Sequence, residues 1–334
     1  VKPVAVIILN WNGERLLREY LPSVVANTNA DIADVIVADN GSTDGSVATL
    51  VAEFPTVKTV LFEKNFGFAE GYNLALQQTG YEYTVLLNSD VETPPHWLEP
   101  LYEMMVKNPH VGACQPKILS YTDKTKFEYA GAAGGFIDRN GYPYCRGRIF
   151  STVESDHGQY NTAIPIFWAT GAALMVRTQL YIDLGGLDAL FFAHMEEIDL
   201  CWRIWLSDHK ITVVPESTVY HLGGGSLPAS NPRKTYLNFR NNLLLLHKNL
   251  PEDDLTATLF RRRLLDTIAW LKFMLTCDWG NANAILKAHR DFRKMRTHYT
   301  AHPTENLLKT FPINRKNILT AYYLHGRHTF AELF

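Results

Sequence analysis

The chain has 334 residues, 46% of them apolar, enough for one enlarged α/β domain with an appendage. Lys and Arg total 32 against 34 Asp and Glu, a balance that argues against a nucleic-acid partner. That balance hides an asymmetry: residues 1–232 carry 15 basic and 26 acidic side chains, residues 233–334 carry 17 and 8. An acidic front could accept a divalent cation and a basic tail could face something anionic, or the two could simply neutralise each other.

Four cysteines, Cys114, Cys145, Cys201 and Cys277, show neither pairing nor metal-ligand spacing and suit a reducing compartment. The apolar run Val4–Leu9 is too short for a signal peptide, and the stretch Leu264–Leu275 is broken by Asp266 and Lys272 before it could span a bilayer. The expectation is a cytoplasmic protein, either free or peripheral on the inner face of the cell membrane.

In chain order, Val4–Leu9 reads as a strand covered on both faces, followed by a helix over Glu14–Val25. Asp34–Asp39 is a second strand ending in the turn formers Asn40-Gly41-Ser42-Thr43-Asp44-Gly45. Val57–Phe62 is a third, and the segment Asn65–Asn73 leads into another helix. Tyr83–Leu87 is a fourth strand and runs into Asn88-Ser89-Asp90. Such repeated βα units imply a mostly parallel sheet, whose ligands sit beyond the carboxyl ends of the strands. The polar clusters around Asn10, Asp39 and Asp90 all lie at those ends.

Further on, Val111–Ile118 and Ile164–Val176 read as strands separated by a loop-like insert over Gly131–Gly158. Glu196–Trp205 is a short helix, Ile211–Val214 the last strand, and Tyr220–Ser226 a glycine-rich loop. From Arg233 the chain reads as helices over 234–248, 254–276 and 281–297. In the second of these, Phe260, Leu264, Ile268, Leu271 and Leu275 form one stripe flanked by Arg261-Arg262-Arg263 and Lys272. The tail is then either a helical appendage packed on the catalytic domain or a membrane-surface helix attracted to anionic lipid.

The first turn, Leu9-Asn-Trp-Asn-Gly-Glu14, lacks the glycines of a dinucleotide-binding fold. No Walker-type loop occurs, nor the basic glycine-rich loop of a sugar nucleotidyltransferase. A nucleotide would therefore be held through side-chain carboxylates and a metal. At this point the sequence resembles family 2 glycosyltransferases with the GT-A fold, nearest in pattern to rhamnosyltransferase-like enzymes of bacterial polysaccharide assembly. The resemblance spans about residues 4–246 and rests on Asp39–Ser46, Asn65–Asn73, Leu86–Val91, Glu196–Arg203 and His221–Ser226.

It implies a GT-A type, mostly parallel sheet flanked by helices over residues 1–232, with a helical C-terminal region over 233–334. It also implies an inverting, metal-dependent transfer from a UDP- or dTDP-sugar to a glycan or polyprenyl-linked acceptor. Asp39 would accept the N3–H of uracil or thymine, although it also suits an Asx turn. Asn10 and Asn65 would join the nucleotide site. Asn88-Ser89-Asp90 stands where the family carries Asp-x-Asp, with an amide for the first acid. Asp90 is then the expected Mn2+ or Mg2+ ligand, Asn88 a contact to ribose or to a water on the ion, and Ser89 their neighbour. His221 would add a metal or diphosphate contact, with Gly223-Gly224-Gly225 closing over the diphosphate. Asp44 suits a helix cap.

On the Glu196 helix, the helical spacing makes Glu196, Asp199 and Arg203 a structural ion-pair network. Glu197 lies beside Leu200, Cys201 and Ile204, where desolvation raises its pKa towards that of a general base. The family places aspartate there, so Glu197 is the expected base and Glu196 the fallback, with Glu196 otherwise expected near the acceptor. Trp168 and Gly171 would line the acceptor site, Trp168 by stacking on a sugar or else by core packing. The contrasting reading is a non-catalytic nucleotide- or glycan-binding module on the same fold, for which Asn88 is the main support.

Overall fold

In the computed structural model, which describes residues 2–223, 231–312 and 316–334, the alternating first half folds as its pattern requires. The strands are β1 (Val4–Asn10), β2 (Ala33–Asp39), β3 (Lys58–Leu61), β4 (Tyr83–Leu87), β5 (Val91–Glu92) and β6 (Val111–Ser120). They continue with β7 (Gly135–Ile137), β8 (Pro143–Cys145), β9 (Arg148–Ile149), β10 (Thr152–Val153), β11 (Ile164–Pro165), β12 (Ala173–Arg177) and β13 (Lys210–His221). The main helices are α1 (Glu14–Asn27), α2 (Ser46–Glu53), α3 (Phe68–Gln77), α4 (Glu99–Lys107), α5 (Thr178–Asp183), α6 (Glu196–Leu206), α7 (Pro232–Asn249), α8 (Glu252–Leu275) and α9 (Trp279–Met295).

The central sheet runs β11-β13-β6-β12-β4-β1-β2-β3, with β5 paired to the end of β13. β1 is parallel to β2 and β4, and β2 to β3, so Asn10 and Asp39 come side by side at one edge. β12 enters antiparallel between β4 and β6, while β6 and β13 are parallel. The strands β1, β4 and β12 are apolar without alternation because helices or loops cover both faces: Val6, Ile7, Val85, Leu86 and Leu174 are fully buried.

Three expectations are corrected. Residues 135–153 are not a loop but a second, four-stranded antiparallel sheet in the order β10-β9-β8-β7. Residues 164–176 do not form one long extended run: β11 and β12 are separated by the segment 166–172, which passes the site. The last strand is twelve residues long, carried past a register shift between Val214 and Thr218 by pairing with β6, so His221 ends a strand rather than sitting in a loop. Gly224, Gly225 and Ser226 lie outside the described residues.

Helix α7 opens with Asn231 accepting from Arg233 N–H and Pro232 in the first turn. Its Leu243, Leu244, Leu245 and Leu246 are buried in the same apolar cluster as Leu86 and Leu174 of the sheet. Helix α8 is the reverse of an ordinary amphipathic helix. It buries Arg262 and Asp266, joined at 3.2 Å and met by His289 at 3.0 Å, and it exposes Phe260, Leu264, Ile268, Leu271 and Leu275. The stripe therefore faces away from the packed side of α8, while the helix itself packs on the sheet domain through Arg262, which donates to the Asn140 carbonyl at 3.3 Å and stacks on Tyr142 at 3.9 Å. No helix among the described residues is long and apolar enough to cross a membrane.

Candidate active site

The parallel strands aim their carboxyl ends at one edge, and the polar residues that follow them assemble there. At the β1–β2 end, Asp39 is buried with both oxygens engaged: Oδ1 accepts Ser42 N–H at 2.8 Å and Oδ2 accepts Asn10 Nδ2 at 2.9 Å. Asp39 thus braces the turn after β2 through the N–H three residues on, and it is 2% exposed. Asn10 leaves its Oδ1 without a partner. Asn65 is exposed and braces its own turn, accepting from Gly67 N–H at 2.7 Å and Asn40 Nδ2 at 3.1 Å. Asp44 ties two helix starts together, accepting from Glu14 N–H and Ser46 N–H, each at 3.0 Å.

Beyond β4 lies a cavity of about 810 Å3 whose wall includes Asn88, Ser89, Asp90, Gly171, Glu197 and His221; Asn10, Asp39 and Asn65 lie outside its lining. The strand register explains the pairing of Asp90 with His221. β5 runs antiparallel to β13 with Val91 opposite His221, and Leu222 N–H donates to the Asp90 carbonyl at 3.0 Å. His221 Nε2 then stands 3.1 Å from Asp90 Oδ1 and 3.4 Å from Asn88 Nδ2. On the other side of the ring, Glu128 places Oε1 3.6 Å from Nδ1. No local motif announces Glu128, because β6 and the bridge between Leu119 and Phe127 bring it in from a distant loop.

Burial alone would lower the His221 pKa, but the Asp90 and Glu128 carboxylates outweigh it and raise it to about 10. Burial likewise works against Asp90, yet His221 holds its carboxyl below the usual range. A metal binding here would have to displace the His221 proton. Among the described residues no three His, Cys, Asp or Glu side chains form a metal cage. Asp90 and His221 nevertheless fit as a two-point holder. Their carboxylate and imidazole are donor types a divalent ion accepts, and they stand a hydrogen-bond length of 3.1 Å apart. Glu128 stands 3.6 Å from the far ring nitrogen, outside hydrogen-bond distance, and Nδ1 has no hydrogen-bond partner among the described residues.

Glu197 faces the same cavity from the first turn of α6, with Leu200, Cys201 and Ile204 of its helix buried. Burial pushes its pKa up to about 7, and Oε2 has no hydrogen-bond partner. Glu196 is buried too, raised by burial and by repulsion from Glu197 and Asp199. The expected three-residue network is corrected. Asp199 pairs with Arg203 at 2.7 Å and Lys248 at 2.9 Å, while Glu196 has no ion pair among the described residues and turns to the cavity. Gly171 lies in the wall beside Glu197, where a methyl group would make ordinary contact with Phe68 at 3.5 Å and Glu197 Cβ at 3.9 Å. Trp168 is 3% exposed, its indole N–H donates to the Phe136 carbonyl at 2.8 Å, and it lines a neighbouring cavity that Glu197 also borders.

The approach to α6 is strained. Phe192, His194 and Met195 have φ of 66°, 69° and 76°, each a left-handed conformation unfavourable to a side chain. Asn241 of α7, fully buried, holds this bend by donating from Nδ2 to the carbonyls of Phe191, Ala193 and His194 at 2.8, 2.8 and 2.7 Å. The position of Glu197 therefore depends on a helix more than forty residues away, which the spacing of residues along the chain could not reveal.

With this geometry in place, comparison with known proteins is informative. The family model described as glycosyl transferase family 2 matches residues 5–181. The chain belongs to that family. It is similar to the N-acetylglucosaminyl-diphospho-decaprenol L-rhamnosyltransferase of Mycobacterium tuberculosis, 25% identical over 232 residues, which cover 65% of this chain and 75% of the relative. Among solved structures, S. aureus TarS 1–349 in complex with UDP-GlcNAc superposes with a TM-score of 0.57 at 18% identity, covering 87% of this chain and 80% of that one. The mannosyltransferase PcManGT of Pyrobaculum calidifontis, in complex with GDP-Man and Mn2+, gives 0.53 at 16%, covering 97% and 82%. These likenesses agree with the mixed sheet flanked by helices and make the fold GT-A. The family 2 glycosyltransferase is thus the frame for the site.

Proposed function

We propose that the protein transfers a sugar from a UDP- or dTDP-sugar to a hydroxyl of a glycan or polyprenyl-linked glycan, inverting the anomeric centre, with Mn2+ or Mg2+. The observation that carries this reading is one cavity at the carboxyl edge of the sheet holding both the Asp90–His221 pair and the half-buried Glu197. Asp39 would hold the base beside Asn10, and Asp90 with His221 would hold the ion. When bound, the ion would neutralise charge developing on the departing diphosphate. Glu197 takes the proton of the acceptor hydroxyl. That oxygen forms its bond to the anomeric carbon from the face opposite the diphosphate, which leaves with the electron pair of the broken C–O bond.

Donor turnover tests this directly. Incubation with a panel of UDP- and dTDP-sugars and Mn2+ should release the nucleoside diphosphate from at least one, and EDTA should abolish the release. Nucleotide binding with no turnover of any donor, with or without glycan acceptors, would instead favour a non-catalytic binding module.

The exposed stripe on α8 supports a peripheral membrane contact. Five large apolar side chains between 48% and 84% exposed, with Arg261, Arg263 and Lys272 exposed beside them, match the apolar-plus-basic face of an interfacial helix. The protein should float with vesicles containing phosphatidylglycerol. The double change Leu264→Glu with Ile268→Glu should leave it at the bottom of the gradient, and equal flotation of both forms would refute the contact.

A further inference from the structure

A second cavity of about 320 Å3 adjoins the first and shares Tyr129, His194, Glu197 and Lys234 with it. Its lining is unusual in its polar atoms. Arg148 Nε, Arg262 Nε, His194 Nε2, Asn242 Oδ1 and Glu197 Oε2 are all buried without a hydrogen-bond partner. Buried polar groups are nearly always satisfied, so five orphans around one cavity point to a polar occupant. The charge of Arg262 is answered by Asp266. Arg148 is different: it is 9% exposed, and no carboxylate lies within ion-pair distance of it among the described residues. Its guanidinium is fixed by donation to the Phe150 carbonyl at 3.1 Å and by stacking on the Tyr129 ring at 3.9 Å. Lys234 approaches the same ring at 5.9 Å. A fixed, buried guanidinium with an unused donor, beside a second cation, suits a phosphate oxygen.

The donor diphosphate does not meet this demand. Asp90 and His221 line the first cavity alone, and Arg148 and Arg262 line the second alone, with Glu197 in the wall common to both. An anion in the second cavity therefore reaches Glu197 from the acceptor side. Arg262 also belongs to α8, the helix that carries the exposed apolar stripe on its other faces.

We propose that the second cavity is the acceptor subsite and takes a phosphate or diphosphate ester, the head group of a lipid-linked saccharide, on Arg148 and Lys234. This rests on the glycosyltransferase reading above, which already allows a polyprenyl-linked acceptor, and adds to it the residues that hold the acceptor's phosphate. Geranyl diphosphate, titrated calorimetrically into protein already saturated with Mn2+ and UDP or dTDP, should bind with a stoichiometry of one. R148Q should weaken that binding at least tenfold, while its own nucleotide titration certifies the fold. Inorganic pyrophosphate should bind more weakly than the prenyl ester, which separates a lipid head group from a free phosphate, and geraniol should not bind. Equal affinity of R148Q and the unmodified protein, no binding at all, or displacement by excess nucleotide would overturn the proposal. If the nucleotide itself fails to bind, the donor reading falls. The titration run without nucleotide still decides the subsite through R148Q.

Discussion

Replacing Glu197 by Gln should lower sugar transfer by about 10²–10⁴-fold while leaving nucleotide affinity within twofold, since the amide keeps the shape and loses the base. The pH dependence should move with it. Burial raises the Glu197 carboxyl to about 7, so kcat/KM of the unmodified protein should rise with pH through that region as the base form appears. The residual rate of the variant should lack that limb. Stability should respond in the opposite sense. Between the ordinary value of 4.5 and about 7 the folded chain holds a proton at Glu197 that the unfolded chain has lost. Stability contributed by the protonated carboxyl is therefore present at low pH and lost as pH rises through about 7. Gln, which never ionises, should raise the melting temperature at pH 8 relative to the unmodified protein and have little effect at pH 4. Near-normal transfer by the variant would remove Glu197 from the chemistry, leaving the neighbouring Glu196 as the only other carboxylate of α6 on that wall.

The second large effect is expected at Asn241, which touches no reacting group. In Asn241→Leu the carbonyls of Ala193 and His194 lose the donor that satisfies them, whereas Phe191 keeps the Arg240 guanidinium at 2.9 Å. Two part-buried carbonyls losing their donor cost about 1–3 kcal/mol together. The left-handed bend at His194 and Met195 would then relax, carrying Glu197 with it. A displacement of about 1 Å at a reacting group can cost about 10²-fold in rate. Denaturant unfolding and transfer kinetics should show both losses, with kcat falling much more than donor affinity. If stability drops but kcat is unchanged, Asn241 only supports the fold and does not position the base.

Much of this arrangement is legible in the sequence. The apolar runs 4–9, 34–39 and 83–87 each stop at a polar cluster, and parallel strands must place those clusters at one edge. The spacing of α6 separated Glu197 from Asp199 correctly because helical projection depends only on position in the chain. It failed for Glu196, since the stripe it shares with Asp199 and Arg203 does not show that Lys248 and Asn249 of α7 approach Asp199 instead. The small sheet over 135–153 escaped notice because its strands are two or three residues long and too short to show alternation. β13 was read short because Pro215 and Glu216 interrupt its apolar pattern where the register shifts. On α8 the periodicity was plain, but a stripe does not say what it faces; only the burial of Arg262 and Asp266 against Tyr142 and His289 turns it outward. Glu128 and Asn241 had no local signal, since each acts across elements joined by the sheet or by helix packing.

The most direct measurement is calorimetric titration of UDP and of dTDP at pH 7.5, with and without Mn2+, into the unmodified protein and into Asp90→Ala. One of the two nucleotides should bind in the low micromolar range with Mn2+ and at least tenfold more weakly without it, and Asp90→Ala should abolish the difference made by the metal. Equal affinity with and without Mn2+, or a metal effect that persists in Asp90→Ala, would contradict a donor clamped at the Asp90–His221 pair.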